Sequence, residues 1–318
     1  MEVKFDNPEF KHLGENIYKS AAKVQSGIFK MVDKERHTDA PGVVIASTGP
    51  SIEDHDVLAE IHRLVNDEGY DLMALKESIK FLKEGHDLPV KYSVSMDPGR
   101  ERQVTRTPVY DDVVYCMASS CNPVLYDHVA KGGAQIEVFH SACGYNEHMM
   151  EAGIVFELSP DQHCVVLGEY ELKTTDDFTF SPVVAQQINE VEIYQRLFPT
   201  GDTMQGGFTV TNRSLALATY LGYSEIVIAG ADFGWREDHK DDTHYASFVT
   251  VGSQSKNYMT DEGRIDGQPW LTRPDQIASA AFIAKQVQSG HVRVLGDTMA
   301  QSMANRSAKF IDQLVQLN

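Results

Sequence analysis

Basic residues are scarce in this chain. Its 318 residues hold 28 Lys and Arg against 46 Asp and Glu, a formal net charge of −18. A duplex nucleic-acid surface needs a local cation for each phosphate it meets, so that partner is disfavoured. A nucleotide pocket survives the deficit, because backbone N–H groups can hold an anion without side-chain charge. Cysteine is also rare: Cys116, Cys121, Cys143 and Cys164 show no Cys-x-x-Cys spacing and lie in or beside apolar runs. They read as buried free thiols of a reducing compartment. No apolar run is long enough to span a bilayer, and the opening MEVKFDNPEFKHLGENIYKS has no hydrophobic leader core. The expected location is cytoplasmic. Repeats and low-complexity tracts are absent too, and so are both common phosphate fingerprints, G-x-G-x-x-G and G-K-[ST]. NAD(P) chemistry and P-loop phosphoryl transfer are disfavoured accordingly.

What is present is regular. Hydrophobic residues make up 42% of the chain and charged residues 23%, enough for one large globular core, or for one core with a lid or small subdomain. Apolar runs of strand length occur at Val43–Ser47, Asp71–Ala74, Val90–Met96, Val113–Met117, Ile136–Phe139, Ile226–Ala229 and Val292–Leu295. Helix-period segments separate them at Ile52–Val65, Lys76–Lys83, Pro123–Ala130, Asn212–Leu221 and Gln276–Val287. This alternation predicts an α/β, Rossmann-like fold, with a mostly parallel sheet covered by helices on both faces. Residues 1–40 read as a helical preface, 41–300 as the nucleotide-binding domain and 301–318 as a C-terminal helix. Two stretches break the rhythm, 141–205 and 233–274, and long aperiodic insertions of this kind are expected to act as lids. The second carries Trp235, Tyr245, Tyr258 and Trp270.

Three stretches point at one sheet edge. In GVVIASTGPSIEDHDVLAEI, a strand runs through Gly49-Pro50-Ser51 into a helix, with Ser51 as a candidate cap and Asp54 three residues on. A helix start there would offer unpaired N–H groups to an anion. In VKYSVSMDPGRERQ, Asp97 follows a strand, although Asp-Pro-Gly also makes an ordinary turn. In GGFTVTNRSLALATYLGYSEIVIAGADFG, Gly206-Gly207 open a helix that Thr209 or Thr211 caps. The following strand ends at Gly230 and Asp232. Strand carboxyl ends form the ligand crevice of open α/β sheets, so Asp97 and Asp232 are expected on that edge. Downstream, WREDHKDDTHYAS holds His239 and His244. A solvated loop explains most such histidines. A general base needs only a neutral imidazole near a hydroxyl, and His244 beside Tyr245 suits that role better than His239.

Taken in order, IASTGPSIEDH, SVSMDPG, GGFTVTNRSLALATYLGYSEIVIAGADFG and THYA resemble one broad family. It contains the motility-associated-factor flagellin glycosyltransferases and the archaeal hydroxymethyl-dihydropterin diphosphokinases. LGYSEIVIAGADF is also similar to the corresponding strand region of bacterial sialyltransferases with a Gly-Pro-Ser loop. The likeness spans roughly residues 42–295. It implies a nucleotide or nucleotide-sugar site in which Gly49, Pro50 and Ser51 match the nucleotide loop and Asp97 the acid of an Asp-Pro motif. Gly230 and Asp232 match a Gly-x-Asp, and His244 the downstream histidine. With Gly207, Thr209 and Tyr245 these residues form the candidate site. Tyrosines steady the leaving phosphate in the sialyltransferases; Tyr245 and Tyr258 are substitutes here, placed differently relative to the Gly-x-Asp strand.

Two chemistries follow from the resemblance, with glycosyl transfer from a nucleotide-sugar donor preferred. Its acceptor hydroxyl is left open among saccharide, protein and hydroxymethylated base. The alternative is diphosphoryl transfer from ATP, with magnesium held by Asp97 and Asp232 as hard oxygen ligands. A non-catalytic nucleotide-binding protein on the same fold is the third reading. Homo-oligomerisation is left open.

Overall fold

Every residue from Val43 to Ala46 is fully buried, as are Leu72 to Leu75 and Ile228 to Ala229. Strands buried on both faces need such unbroken apolar runs, because helices cover the sheet above and below. The structure is a computed structural model. It describes residues 20, 23–24, 26–34, 36, 39–96, 104, 107–143, 154–159, 162–167, 203–206, 209–236, 258–259, 270–272 and 274–307.

The main sheet contains β1 (Lys30–Met31), β2 (Val43–Ala46), β3 (Asp71–Leu75), β4 (Val90–Ser95), β5 (Val114–Ala118) and β6 (Gln135–Cys143). Later in the chain come β7 (Ile154–Ser159), β8 (Gln162–Leu167), β9 (Thr203–Gly206) and β10 (Ile226–Ala229). The last are β11 (Trp235–Arg236), β12 (Tyr258–Met259), β13 (Trp270–Thr272) and β14 (Val292–Val294). The sheet order is β1-β6-β5-β4-β3-β2-β10-β14, with β9 paired on β6. Pairs β1–β6, β5–β6, β6–β9, β2–β3, β2–β10 and β10–β14 are all parallel. The predicted α/β class with a parallel sheet is what forms. Strand boundaries read from the apolar runs shift by at most a residue or two, except that the strand read as Ile136–Phe139 runs four residues further, to Cys143.

The chain divides into two compact units, one of Met1–Asp33 with Val94–Gly206 and one of Lys34–Ser93 with Gly207–Asn318. In the second unit, α1 (His55–His62) lies between β2 and β3, and α2 (Ser78–Lys80) follows β3. Helix α4 (Val210–Tyr220) precedes β10, α5 (Pro274–Gln288) links β10 towards β14, and α6 (Met299–Ala304) follows β14. From β2 the chain steps to β3 in one direction along the sheet, and from β10 to β14 in the other. Parallel crossovers are right-handed, so opposite steps place α1 and α5 on opposite faces. Helix α4 packs on β2 and α5, and α6 packs on α5. The strands β2 and β10 therefore flank a topological switch point.

The first unit holds β1, β5, β6 and β9, the antiparallel β7–β8 hairpin, and α3 (Pro123–Lys131). Helix α3 begins for local reasons. The Asn122 side chain accepts the Val124 N–H at 2.9 Å, and Pro123 occupies the first position, where its missing N–H leaves no donor unmet.

Three sequence expectations change. Lys30–Met31, placed in a helical preface, pair as strand β1 with Glu137 and Val138 of β6. The helix expected from Ile52 is instead a 3₁₀ turn at Pro50–Glu53, then α1, then a widening to π geometry over Arg63–Asp67. The second irregular stretch contributes β11, β12 and β13, which form a three-stranded antiparallel sheet. Residues 1–19 of the expected preface and 308–318 of the expected C-terminal helix lie outside the described residues; in the described part of 301–318 the helix stops at Ala304, with Asn305 as its C-cap.

At the amino-terminal edge of the second unit's strands, Asp71 accepts hydrogen bonds from the Tyr223 hydroxyl and, at 2.6 Å, from Lys91 Nζ. Burial, followed by the bond to Asp71, pushes the Tyr223 hydroxyl pKa far above its usual value. Tyr223→Phe removes a donor to a carboxylate and should lower stability by about 1–3 kcal/mol. Urea unfolding measures that loss. Ligand binding at the opposite edge should be unchanged.

Candidate functional site

The site is built at the carboxyl ends of β2, β10 and β14, all in the second unit. Beyond β2 the backbone stays zipped to β10: Ser47 N–H donates to Ala229 O and Gly49 N–H to Gly230 O, both at 2.8 Å. Beyond β10, Leu295 N–H donates to Ile228 O at 2.8 Å and Met299 N–H to Asp232 O at 3.3 Å. Three strand ends are thus stitched together where they leave the sheet.

Glycines make this approach possible, each for its own reason. Gly49 has an ordinary φ of −71°, so any residue could adopt its backbone. What it lacks is room: an added Cβ would lie 2.0 Å from Asp232 Oδ2 and 2.4 Å from Gly230 O. Gly230 has φ +67° and would bring a Cβ to 2.9 Å from Ser47 O, so both conformation and space require glycine. Gly296, from beyond β14, faces Ser51 and Val57 at 3.2–3.3 Å in the same way. No motif in the sequence singled it out.

Asp232 is turned inward. It is 7% exposed, and its Oδ2 accepts the Ser51 N–H at 3.1 Å. Burial pushes its carboxyl up to about 6; Ser51 pulls the other way, while Asp54 and Asp297 push further in the raising direction. The Ser51 hydroxyl is buried close to this carboxylate, and among the described residues it has no partner at hydrogen-bonding geometry. It does not cap a helix. The 3₁₀ turn is N-capped by Gly49 and α1 by Asp54, neither through a side-chain bond.

Helix α4 starts at the same edge. Of the two candidate threonines, Thr209 is the cap: its Oγ1 accepts the Asn212 N–H at 3.3 Å. Thr211 instead hydrogen-bonds Ser47 through their hydroxyls at 3.0 Å, tying the first turn of α4 to the end of β2. Asn212, fully buried, donates from Nδ2 to Ser279 O at 3.1 Å, which ties α4 to α5. Of the sequence-predicted site, Gly49, Pro50, Ser51, Thr209, Gly230 and Asp232 are thereby placed in one unit, at one edge. Asp97, Gly207, His244 and Tyr245 lie outside the described residues. Ser47, Thr211, Gly296 and Asp297 join the site from the structure.

The first unit carries a separate buried polar group that sequence reasoning missed. His140 on β6 has Nδ1 at 2.9 Å from Ser119 Oγ, and both residues are fully buried. Ser20 Oγ donates to Ser119 O at 2.8 Å. Burial pushes the His140 imidazole down to about 3, so it is neutral at any ordinary pH. Among the described residues, no group of three or more His, Cys, Asp or Glu could hold a metal ion, and no helix is long and apolar enough to cross a membrane.

No protein-family model matches this sequence, and no curated protein is similar to it in a sequence search. A solved structure is similar in fold, the MAf glycosyltransferase from Magnetospirillum magneticum AMB-1. The superposition has a TM-score of 0.52 at 12% identity and covers 96% of this chain. The likeness is one of fold. It covers 41% of the other chain, so this protein spans less than half the length of its structural neighbour.

Proposed function

We propose that this protein is a nucleotide-sugar-dependent glycosyltransferase, with its donor site at the switch point between β2 and β10. The observation that carries the reading is the close packing of that edge at Gly49, Gly230 and Gly296, where an added Cβ would meet neighbours at 2.0 Å, 2.9 Å and 3.2 Å, so that the strand ends and the Gly49–Ser51 turn form one wall. Open α/β sheets bind ligands where strand order reverses, outside the carboxyl ends. The fold shared with a protein named as a glycosyltransferase favours that chemistry over others available to the architecture.

In this reading the Gly49–Pro50–Ser51 turn shapes the wall of the crevice. The eleven-residue helix α4 directs its positive end, capped by Thr209, to the same edge, where the leaving phosphate gains from the dipole. His244 is assigned as the base that removes the acceptor's proton, with Asp97, Gly207 and Tyr245 completing the site; all four are outside the described residues. Magnesium would look to Asp97 and Asp232. As placed, Asp232 is 7% exposed with Oδ2 on the Ser51 N–H, a poor fit for a hydrated magnesium ion.

A thermal-shift panel of CMP-, UDP- and GDP-sugars against ATP, each with and without magnesium, tests the proposal. One class of nucleotide-sugar should raise the melting temperature without magnesium. Stabilisation by ATP with magnesium alone would replace the reading with diphosphoryl transfer. No response to any nucleotide would sink both.

A further inference from the structure

An acid that follows a strand into a crevice is ordinarily a candidate to touch substrate or metal. The surroundings of Asp232 assign it different work. Its side chain is 93% buried and lies against the Cα of Gly49, where even a Cβ would come within 2.0 Å of Oδ2. Its Oδ2 receives the Ser51 N–H at 3.1 Å from 181 residues away in sequence. Its own carbonyl is held by Met299 N–H at the start of α6. We propose that Asp232 is a positioning residue, whose buried carboxylate serves the Gly49–Pro50–Ser51 turn as an internal anion and holds the loop in shape before any ligand arrives.

The local chemistry asks for such a group. In the Pro50–Glu53 turn Pro50 has no N–H and Ile52 N–H bonds Gly49 O at 3.2 Å, which leaves the Ser51 N–H to be met, and the cap, Gly49, has no side chain to do so. A capping acceptor must come from elsewhere, and a charged one makes the stronger bond. Asp232 supplies it across the gap between β2 and β10, so the cap fixes the loop and the strand end together. The acids facing Asp232 are Asp54, from the end of the turn, and Asp297, from beyond β14. Helix α6 (MAQSMA) and strand β10 (IVIA) bring no charge.

A consequence for the ligand rests on the glycosyl-transfer reading. A donor phosphate that approached the Ser51 N–H would meet a carboxylate already bonded there and two more beside it. The loop is therefore a template for the crevice wall, and the phosphate's own contacts lie elsewhere along the edge. That differs from the simple expectation that Gly49–Ser51 cradles the phosphate directly.

The test follows the Ser51 amide in the full-length, ligand-free protein. With selective ¹⁵N-serine labelling, and assignment through Ser51→Ala, the Ser51 resonance should titrate with a midpoint at about 6. In Asp232→Asn it should be flat over the same range, because the amide oxygen accepts the bond without ionising. Asp232→Asn should keep most of the Ser51 amide's protection from exchange, while Asp232→Ala should lose it by about tenfold or more. A Ser51 amide no better protected in the wild type than in Asp232→Ala, or an Asn variant as unprotected as Ala, overturns the proposal. If the Ala variant does not fold, Asp232→Asn decides alone: a Ser51 amide that loses about tenfold or more of its protection although the amide oxygen can still accept the bond overturns it. These signals need no nucleotide, so failure of the donor panel would leave them intact.

Discussion

Gly49→Ala should destabilise the protein by about 3–4 kcal/mol, at the upper end of what one methyl group does. The added Cβ would meet Asp232 Oδ2 at 2.0 Å, Gly230 O at 2.4 Å and Asp232 Cγ at 2.9 Å. None of these can step aside cheaply. Gly230 O is bonded to the Gly49 N–H at 2.8 Å, and the carboxylate is held by Ser51 and enclosed by its surroundings. Guanidinium unfolding should show the loss directly. Gly85→Ala is the matched control: Gly85 ends the π segment Phe81–Gly85, and its nearest neighbour to an added Cβ is Phe81 Cδ2 at 4.0 Å. That change should be neutral or stabilising by up to about 1 kcal/mol, because alanine loses less backbone entropy than glycine. Combining Gly49→Ala with Asp232→Ala should recover only part of the loss. The carboxylate contacts vanish, but the one to Gly230 O remains, so the two changes are non-additive. Two equal losses at Gly49 and Gly85, or none at either, would mean the close approach at Gly49 is not real.

The sequence carries the fold in its plainest form. Val43–Ala46 and Ile226–Ala229 are four apolar residues each, short unalternating runs that suit a strand covered on both faces, and they pair in parallel. The glycine at position 49 is equally visible, but the reason for it is not. It looks like a residue making room for a ligand, whereas its immediate neighbour is Asp232, which the chain reaches only after another 183 positions. The direction of the Asp232 side chain was illegible for the same cause. An acid after a strand is consistent with pointing out to a crevice or back under a loop. Only the paired loop, with an N–H short of an acceptor, decides between them. The Ser47–Thr211 hydroxyl pair, 164 residues apart, carries no local signature at all. His140 follows the apolar run Ile136–Phe139 and has no local sign of its partner Ser119, which lies 21 residues away.

Acid should move the two units' stabilities in opposite directions. In the second unit, Asp232 has its folded pKa raised from 3.8 to about 6, so burial penalises the charged form. Its contribution is fully present below the unfolded pKa and is lost as pH rises through about 6, amounting to about 3 kcal/mol across the whole window. In the first unit, His140 has its folded pKa lowered from 6.5 to about 3. Its contribution is present above the unfolded value and falls away as pH drops, by about 2 kcal/mol at pH 5. Between pH 8 and pH 5, hydrogen exchange corrected for its intrinsic pH dependence should therefore slow in β2 and β10 peptides. Over the same interval it should quicken in β5 and β6 peptides. Asp232→Asn should flatten the first response and leave the second, and His140→Gln should do the reverse. Other titrating groups act on both units, so the difference between variant and wild type carries the test, not the raw slope. If Asp232→Asn changes neither set of peptides, the carboxyl is not held out of water as its burial implies. The internal-anion role would then lose its physical basis, because a solvated carboxylate at that position would be free to leave the Ser51 N–H for a ligand.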